Sequence, residues 1–188
     1  GNVAKMHPGG DYQNVWLGAS IVNQEEADRD IPKLLATPAA KRFVSYEPAL
    51  DAVNFEAYLG YGACDEDDCE DRGRRYPLSD WPLNKNGIRV CGCGSSAIHE
   101  SRGLDQIIIG GESAQGGKKA RPFDIKWARS TVSQCREAGV ACFVKQLGSN
   151  PINGDDSGHP INDCGFKDRA GADPAEWPED LRVQEFPT

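Results

Sequence analysis

The chain has 188 residues, 38% of them hydrophobic, and a formal net charge of −8. This length favours a single core, and no apolar run approaches the roughly 18 residues of a membrane span. An acidic chain without a Lys/Arg stripe is a poor non-specific nucleic-acid binder, which leaves only a small basic group at Lys118, Lys119 and Arg121.

The first predicted strand covers residues 14–21 and ends in polar residues. Asn23 follows as a helix N-cap, with Glu26 at the third helical position, which is the capping-box pattern. Pro32 interrupts the apolar stripe of this helix, so we expect a kink or two short helices there. No secretory signal pattern precedes the strand, and the expected compartment is the cytoplasm.

A second strand is predicted at residues 41–47, where Pro48 ends it. Residues 60–102 follow without periodicity and are rich in Gly, Pro, Asp and Cys, so we interpret them as an irregular insertion. The next strand, 104–110, is a β-branched run bounded by glycines, which is a typical buried strand.

A second helix, 126–138, is predicted after Asp124, which is placed to cap it. Gly139 fits its left-handed C-terminal cap, and a fourth strand covers 140–146. Apolar strands that alternate with helices indicate an α/β fold with a parallel sheet covered on both faces.

The predicted organisation is therefore one α/β domain at residues 14–148 that contains the insertion. Residues 1–13 are interpreted as a leader or an added segment, because the single methionine is Met6 and the strand pattern starts only at residue 14. Residues 149–188 are rich in Pro, Gly and Asp, and we expect them to wrap the surface.

All four predicted strands end in polar residues. Ligands bind at the carboxyl ends of parallel strands, because loops and helix N-termini converge there. A solvated rim without function is the plain alternative, but two glutamates and a lysine among the strand-end residues favour an active site. The strand-end residues are Ser20, Asn23, Ser45, Glu47, Glu112, Ser113, Lys145 and Gln146.

Gly110 and Gly111 are the sharpest local signal, because two glycines after a buried strand let the backbone approach a ligand closely. Glu112 is then placed to hydrogen-bond a ribose or an amine. The alternative is an ordinary strand-to-loop turn. A phosphate-binding P-loop is excluded, since no Gly-Lys-Ser/Thr follows at the required spacing.

Glu47 precedes Pro48, and a carboxylate there suits an acid/base or a ligand anchor. A salt bridge to Lys145 is the alternative, and the two readings are compatible because ion pairs also build sites. Glu47, Glu112 and Lys145 are the candidate catalytic residues. Because they end three strands of one predicted parallel sheet, we expect their side chains within roughly 10 Å of one another.

The insertion contains two close cysteine pairs, Cys64 with Cys69 and Cys91 with Cys93, separated by 21 residues. Four thiolates in two pairs can complete a tetrahedral zinc site, and a bound metal would give shape to so polar a segment. A mobile loop with free thiols is the alternative, and His99 is a possible replacement for one ligand.

Several of these segments together resemble a phage-associated family of unknown function, named after gene products thirty-seven and sixty-eight. The match covers about 14–60, 103–148 and 166–187, in the family's order. The segments that carry it are Asn14-Val-Trp-Leu-Gly-Ala-Ser20, Arg42-Phe-Val-Ser-Tyr-Glu-Pro48, Gly110-Gly-Glu-Ser113, Ala120-Arg-Pro122, Phe143-Val-Lys-Gln146 and Glu176-Trp-Pro-Glu-Asp-Leu-Arg-Val183.

The resemblance implies a radical S-adenosylmethionine-like protein in which this chain is half of a partial parallel (β/α) barrel. The family's [4Fe–4S] cluster ligands, a C-x3-C-x2-C motif, are absent from this sequence, so the resemblance places them outside this chain and implies that the chain alone is inactive. By the same resemblance, S-adenosylmethionine contacts Ser20, Asn23, Ser45, Gly110, Gly111, Ser113 and Gln146, the last of them towards the substrate.

The partner implied by the resemblance is the N-terminal half of the same protein or a second copy, since half a barrel leaves strand edges unpaired. A phage-encoded protein of this kind would reside in the host cytoplasm. The rival interpretation is a non-catalytic, zinc-stabilised binding or assembly module of a phage protein.

Overall fold

A computed structural model describes residues 14–64, 66–70, 81–86, 88, 90–96, 98–101, 103–154 and 166–187, and of 61–63 and 98–101 only the backbone. The predicted leader, residues 1–13, lies outside these ranges. In chain order the elements are β1 (Trp16–Ile21), α1 (Gln24–Leu35), β2 (Lys41–Tyr46), β3 (Tyr61–Cys64), β4 (Ile98–Ser101), β5 (Gln106–Gly110), β6 (Phe123–Asp124), α2 (Ile125–Ala138), β7 (Ala141–Gln146) and β8 (Pro151–Ile152).

Four parallel strands form the central sheet, in the order β1-β2-β5-β7. This confirms the prediction that the four apolar segments pair in parallel. One row of the register joins Ile21, Tyr46, Ile109 and Val144 across all four strands, and each of these side chains is fully buried. A closed barrel is not formed by these strands, because β1 and β7 lie at opposite edges.

Both helices pack on the face of the sheet that carries this row. Ala27, Ile31 and Leu34 of α1 share one core with Ala128 and Val132 of α2. The strand order advances in one direction along the sheet, and right-handed crossovers then place successive helices on the same side. The structure thus differs from the expected cover on both faces.

The opposite face of the sheet is only partly covered by the described residues. Trp16 of the edge strand β1 is 46% exposed, and Phe186, 65% exposed, lies edge-on against Phe143 of β7 with ring centroids 5.3 Å apart. Phe43 and Ile108, between those strands, are half-buried. Parallel sheets are normally buried on both faces, and the described residues leave this face partly exposed.

The capping residues lie where the sequence places them. The Asn23 side chain accepts a hydrogen bond from the Glu26 amide at 3.0 Å, and Glu26 accepts one from the Val22 amide at 3.0 Å. Asp124 caps α2, and Gly139 ends it with a φ of 66°. Helix α1 continues through Pro32 as one element instead of two, because the apolar stripe packs both halves into the same core.

The insertion contains the antiparallel pair β3–β4 and a small hydrophobic cluster of its own around Trp81. The C-terminal segment buries Trp177, 2% exposed, and Leu181, fully buried, in the main core. Its backbone also runs along the edge of β7, where Val144 donates to Val183 at 2.8 Å. Among the described residues, neither helix is long and apolar enough to cross a membrane.

Candidate ligand site at the strand ends

The first predicted pair of site residues meets at the carboxyl ends of β2 and β7. Lys145 Nζ lies 2.8 Å from Glu47 Oε2, and Ser45 Oγ donates to Glu47 Oε1 at 3.0 Å. The Glu47 side chain is 15% exposed, whereas that of Lys145 is 54% exposed. A shielded carboxylate with one cation and one hydroxyl is thus held at the rim, as the salt-bridge interpretation predicts.

Glu112 follows β5 and is bound by a residue nine positions further on. Arg121 donates to its carboxylate from Nε at 2.9 Å, from Nη2 at 2.9 Å and from the backbone amide at 2.8 Å. The Arg121 side-chain and backbone hydrogen bonds lower the pKa of Glu112 to about 2. Glu112 is therefore a carboxylate at neutral pH, suited to accept hydrogen bonds and not to donate a proton.

The two glycines at the carboxyl end of β5 form a close backbone wall. A methyl group on Gly110 would come within 3.2 Å of Glu47 Oε2, and one on Gly111 would overlap the Leu147 carbonyl. Gln146 ties the wall together, since its amide donates to the Gly111 carbonyl at 2.8 Å and to Ser113 Oγ at 2.9 Å.

A cavity of about 640 Å³, here called the strand-end cavity, opens over these residues. It is within the size range of small-molecule sites. Its wall includes Glu47, Gly111, Glu112, Ser113, Gln146 and the two lysines Lys118 and Lys119. Glu47 and Glu112 therefore face one space. Lys145, the third candidate catalytic residue, pairs with Glu47 but is not part of the wall.

Four of the seven predicted cofactor-binding residues, Ser20, Asn23, Ser45 and Gly110, are not part of this cavity's wall. Ser45 and Gly110 lie behind it, each beside Glu47. Ser20 is exposed at the end of β1, beside Ser45 in the register. Asn23 uses its side-chain oxygen to cap α1. β1 is the edge strand, and its carboxyl end is farthest in the sheet from β5 and β7.

The structure adds residues that the strand-end pattern did not single out as site residues. Gln115, Lys118 and Lys119 come to the cavity on a tight turn, and Arg121 orients Glu112. The only signal in the sequence was the small basic group at 118–121. Its role depends on the turn that folds residues 115–118 back over the strand ends.

That turn has both of its central residues, Gly116 and Gly117, at positive φ, 57° and 77°. The Lys118 amide donates to the Gln115 carbonyl at 3.0 Å and closes the turn. Positive φ at both central positions is the requirement of a type I′ turn, which glycine meets without strain.

A second cavity of about 850 Å³, here called the tail cavity, lies on the other side of the turn. Lys118 and Lys119 belong to its wall as well, with Ser149, Phe166, Asp168 and Arg169 opposite them. The two cavities therefore share the turn as a common wall.

The insertion gathers the four predicted metal ligands, Cys64, Cys69, Cys91 and Cys93. Their sulfurs all lie within 4.8 Å of one another, with Cys69 and Cys91 at 3.4 Å and Cys64 and Cys93 at 3.9 Å. This arrangement can hold a metal ion. The side chain of the alternative ligand His99 lies outside the described residues.

Two features of the cluster favour metal binding over a loop of unrelated thiols. Trp81 packs against the buried thiols and shields the cluster from solvent on that side. A hydrogen bond from the Cys93 backbone, foremost among several influences, lowers the pKa of the Cys91 thiol and favours the thiolate, which is the form that binds metal. The pKa of Cys64 is raised, since a hydrogen bond from the Glu66 backbone, which lowers it, is outweighed by burial and the neighbouring thiols.

Comparison with known proteins gives a family but no activity. No curated protein and no solved structure matches the chain. A family model described as protein of unknown function (DUF5131) matches residues 2–171, which include both cavities' shared turn and the cysteine cluster. The chain belongs to this family of unknown function, DUF5131.

Proposed function

We propose that this chain is the C-terminal part of a radical S-adenosylmethionine-like enzyme of phage or prophage origin, and that it contributes cofactor- and substrate-pocket residues. The observation that carries the proposal is the strand-end cavity of about 640 Å³, which lies at the carboxyl ends of parallel strands. This is where α/β enzymes bind their ligands. The wall is polar and rigid, as a site that orients a cofactor requires.

The wall chemistry suits S-adenosylmethionine. The ligand carries an ammonium group and ribose hydroxyls, which need acceptors, and Glu47 and Glu112 supply carboxylate oxygens on one side of the cavity. Each carboxylate is already held by a cation, Lys145 or Arg121, so its position does not depend on the ligand. When bound, a [4Fe–4S] cluster would supply the electron that cleaves the cofactor, and its ligands would lie outside this chain.

The sheet supports a partner in this enzyme. All described helices pack on one face, and the other face exposes Trp16 and Phe186. Among the described strands, β1 is outermost and pairs along one edge only, with β2. A further (β/α) unit that adds strands at β1 would extend the half-barrel and bury this face, and the N-terminal half of the same protein is our proposed partner, ahead of a second copy.

The test of the proposal is binding of S-adenosylmethionine to the full-length protein by calorimetric titration. Glu112→Gln keeps the shape of the wall and removes a charge, so we expect it to weaken binding about tenfold, the usual cost of a lost charge-assisted hydrogen bond. Glu179→Gln, an exposed glutamate outside the cavity, is the matched control and should bind like the wild type. Equal affinities of all three proteins would remove Glu112 from the site, and no binding by the wild type would refute the cofactor.

A second candidate function rests on the cysteine cluster, namely a zinc-stabilised binding or assembly module. Four sulfurs around one zinc ion at about 2.3 Å stand about 3.8 Å apart, and the distances of 3.4 Å and 3.9 Å are close to that geometry. The ion would fasten β3 and β4 and shape the insertion, with or without catalysis at the strand ends.

Elemental analysis tests the metal. We expect about one zinc per chain after purification without chelator, and a large loss in Cys91→Ser. Cys135→Ala is the control, because Cys135 is a buried thiol of α2 outside the cluster. Less than about 0.1 zinc per chain in the wild type would reject the site.

A further inference from the structure

We infer that the tail cavity is a binding site for a phosphate-bearing ligand, held by Lys118, Lys119 and Arg169. The inference concerns a different cavity and a different ligand from the proposed cofactor site. It does not require that S-adenosylmethionine binds.

The first step is the charge of the wall. Among the described residues, the ionisable residues of the tail cavity are three cations, Lys118, Lys119 and Arg169, and one acid, Asp168. None of the three cations has an ion-pair partner among the described residues. A local surplus of positive charge is therefore concentrated in a concave site, although the chain as a whole has a net charge of −8.

The second step is the state of the nearby acids, which are already engaged. Asp168 accepts backbone hydrogen bonds from Ala170 at 3.4 Å and from Ala172 at 2.5 Å. Across the shared turn, Glu112 is bound by Arg121 and Glu47 by Lys145. These three acids thus have other partners, and Lys118 and Lys119 are available to bind a ligand.

The third step is the rigidity of the site. The turn at 115–118 presents both lysines from a closed loop. Ser149 fastens the opposite wall, because its hydroxyl accepts from the Ala114 amide at 2.9 Å and donates to the Arg169 carbonyl at 2.5 Å. Because the backbone is fixed on both walls, binding of an anion between them has to order only the three cationic side chains.

The last step is the class of ligand. Two ammonium groups and a guanidinium around one space suit a multivalent oxyanion, and lysine and arginine are the usual ligands of phosphate. Phe166 adds a half-buried aromatic surface to the same wall. A phosphate ester with an apolar or aromatic portion matches this combination better than a bare carboxylate, which carries a single charge.

The experiment is calorimetric titration of the full 188-residue chain with phenyl phosphate, inorganic phosphate and benzoate. We expect phenyl phosphate to bind most tightly, and the affinity to fall as sodium chloride is raised. In the double variant Lys118→Gln/Lys119→Gln the affinity for phenyl phosphate should fall at least about tenfold, and Arg169→Gln should also weaken binding. Circular dichroism checks that the variants fold.

The matched control is Lys167→Gln, which removes the same charge from an exposed lysine that is not part of the wall. It should bind phenyl phosphate like the wild type. The inference is overturned if the wild type binds none of the three probes, if Lys167→Gln loses as much affinity as the double variant, or if benzoate binds as tightly as phenyl phosphate.

Discussion

Glu47 and Glu112 lie at the same rim, yet their neighbours give them different surroundings. The Glu47 carboxylate is shielded from solvent, accepts a hydrogen bond from Ser45 and pairs with Lys145. The Glu112 carboxylate is more exposed and accepts three hydrogen bonds from Arg121. The difference comes from position, since Glu47 ends a central strand and Glu112 begins the loop that carries Arg121.

The pH dependence of stability tests the Glu112–Arg121 pair. The pKa of Glu112 lies at about 2 in the folded chain, below the ordinary 4.5, so the pair contributes its full stability above pH 4.5 and loses it as the pH falls towards 2. We expect urea denaturation to show the wild type more stable than Glu112→Gln at pH 5.5, with a smaller difference at pH 3.

Glu179→Gln is the control at this scale, because this exposed glutamate has no such partner among the described residues. The difference in free energy of unfolding between Glu179→Gln and the wild type should not shrink in this way between pH 5.5 and pH 3. A Glu112→Gln difference that is constant from pH 5.5 to pH 3 would show that Arg121 does not lower the pKa of Glu112.

At the scale of the element, α1 depends on a reciprocal cap. Asn23 accepts from the Glu26 amide, and Glu26 accepts from the Val22 amide, each at 3.0 Å. The cap satisfies amides that the first helical turn leaves free, and it directs the chain from β1 into the helix.

We predict that Asn23→Ala destabilises the chain by about 1 kcal/mol, the usual cost of losing such a cap. Glu25→Ala, at an exposed position of the same turn, should change the free energy of unfolding by less than about 0.5 kcal/mol. Urea denaturation measures both. If Asn23 only caps the helix, Asn23→Ala should leave ligand affinity at the strand ends unchanged. A large loss of affinity would show that Asn23 also contributes to the binding site.

At the scale of the whole molecule, the C-terminal segment completes the core on the α2 side. Trp177 is 2% exposed, and its indole N–H donates to the Gly171 carbonyl at 2.9 Å. Arg129 of α2 pairs with Asp180 of the same segment at 2.6 Å. The segment therefore belongs to the fold as much as the strands do.

Trp177→Ala should destabilise the chain by about 3–5 kcal/mol, because it removes a large buried side chain and leaves a cavity. Phe186→Ala is the control, an aromatic residue of the same segment that is 65% exposed, and it should cost about 1 kcal/mol. Equal midpoints of urea denaturation for the two variants would show that the C-terminal segment is not part of the cooperative core.

Much of the fold could be predicted from the sequence, because its signals are local. The β-branched run before Gly110, the caps at Asn23 and Asp124 and the left-handed Gly139 each act within a few residues. The parallel pairing of the strands followed from their alternation with helices. The two close cysteine pairs likewise predicted a cluster of four thiols. In the structure, the β3–β4 pairing accompanies the approach of the two pairs to one another.

The tertiary structure alone decided which partners meet. Arg121 as the partner of Glu112, the turn shared by two cavities and the burial of Trp177 all depend on how distant segments pack. The placement of both helices on one face followed from strand order, which no local pattern encodes. Propensities and caps act through neighbouring residues, whereas a site is assembled by contacts between distant ones, and these arise only when the sheet and its surrounding segments form together.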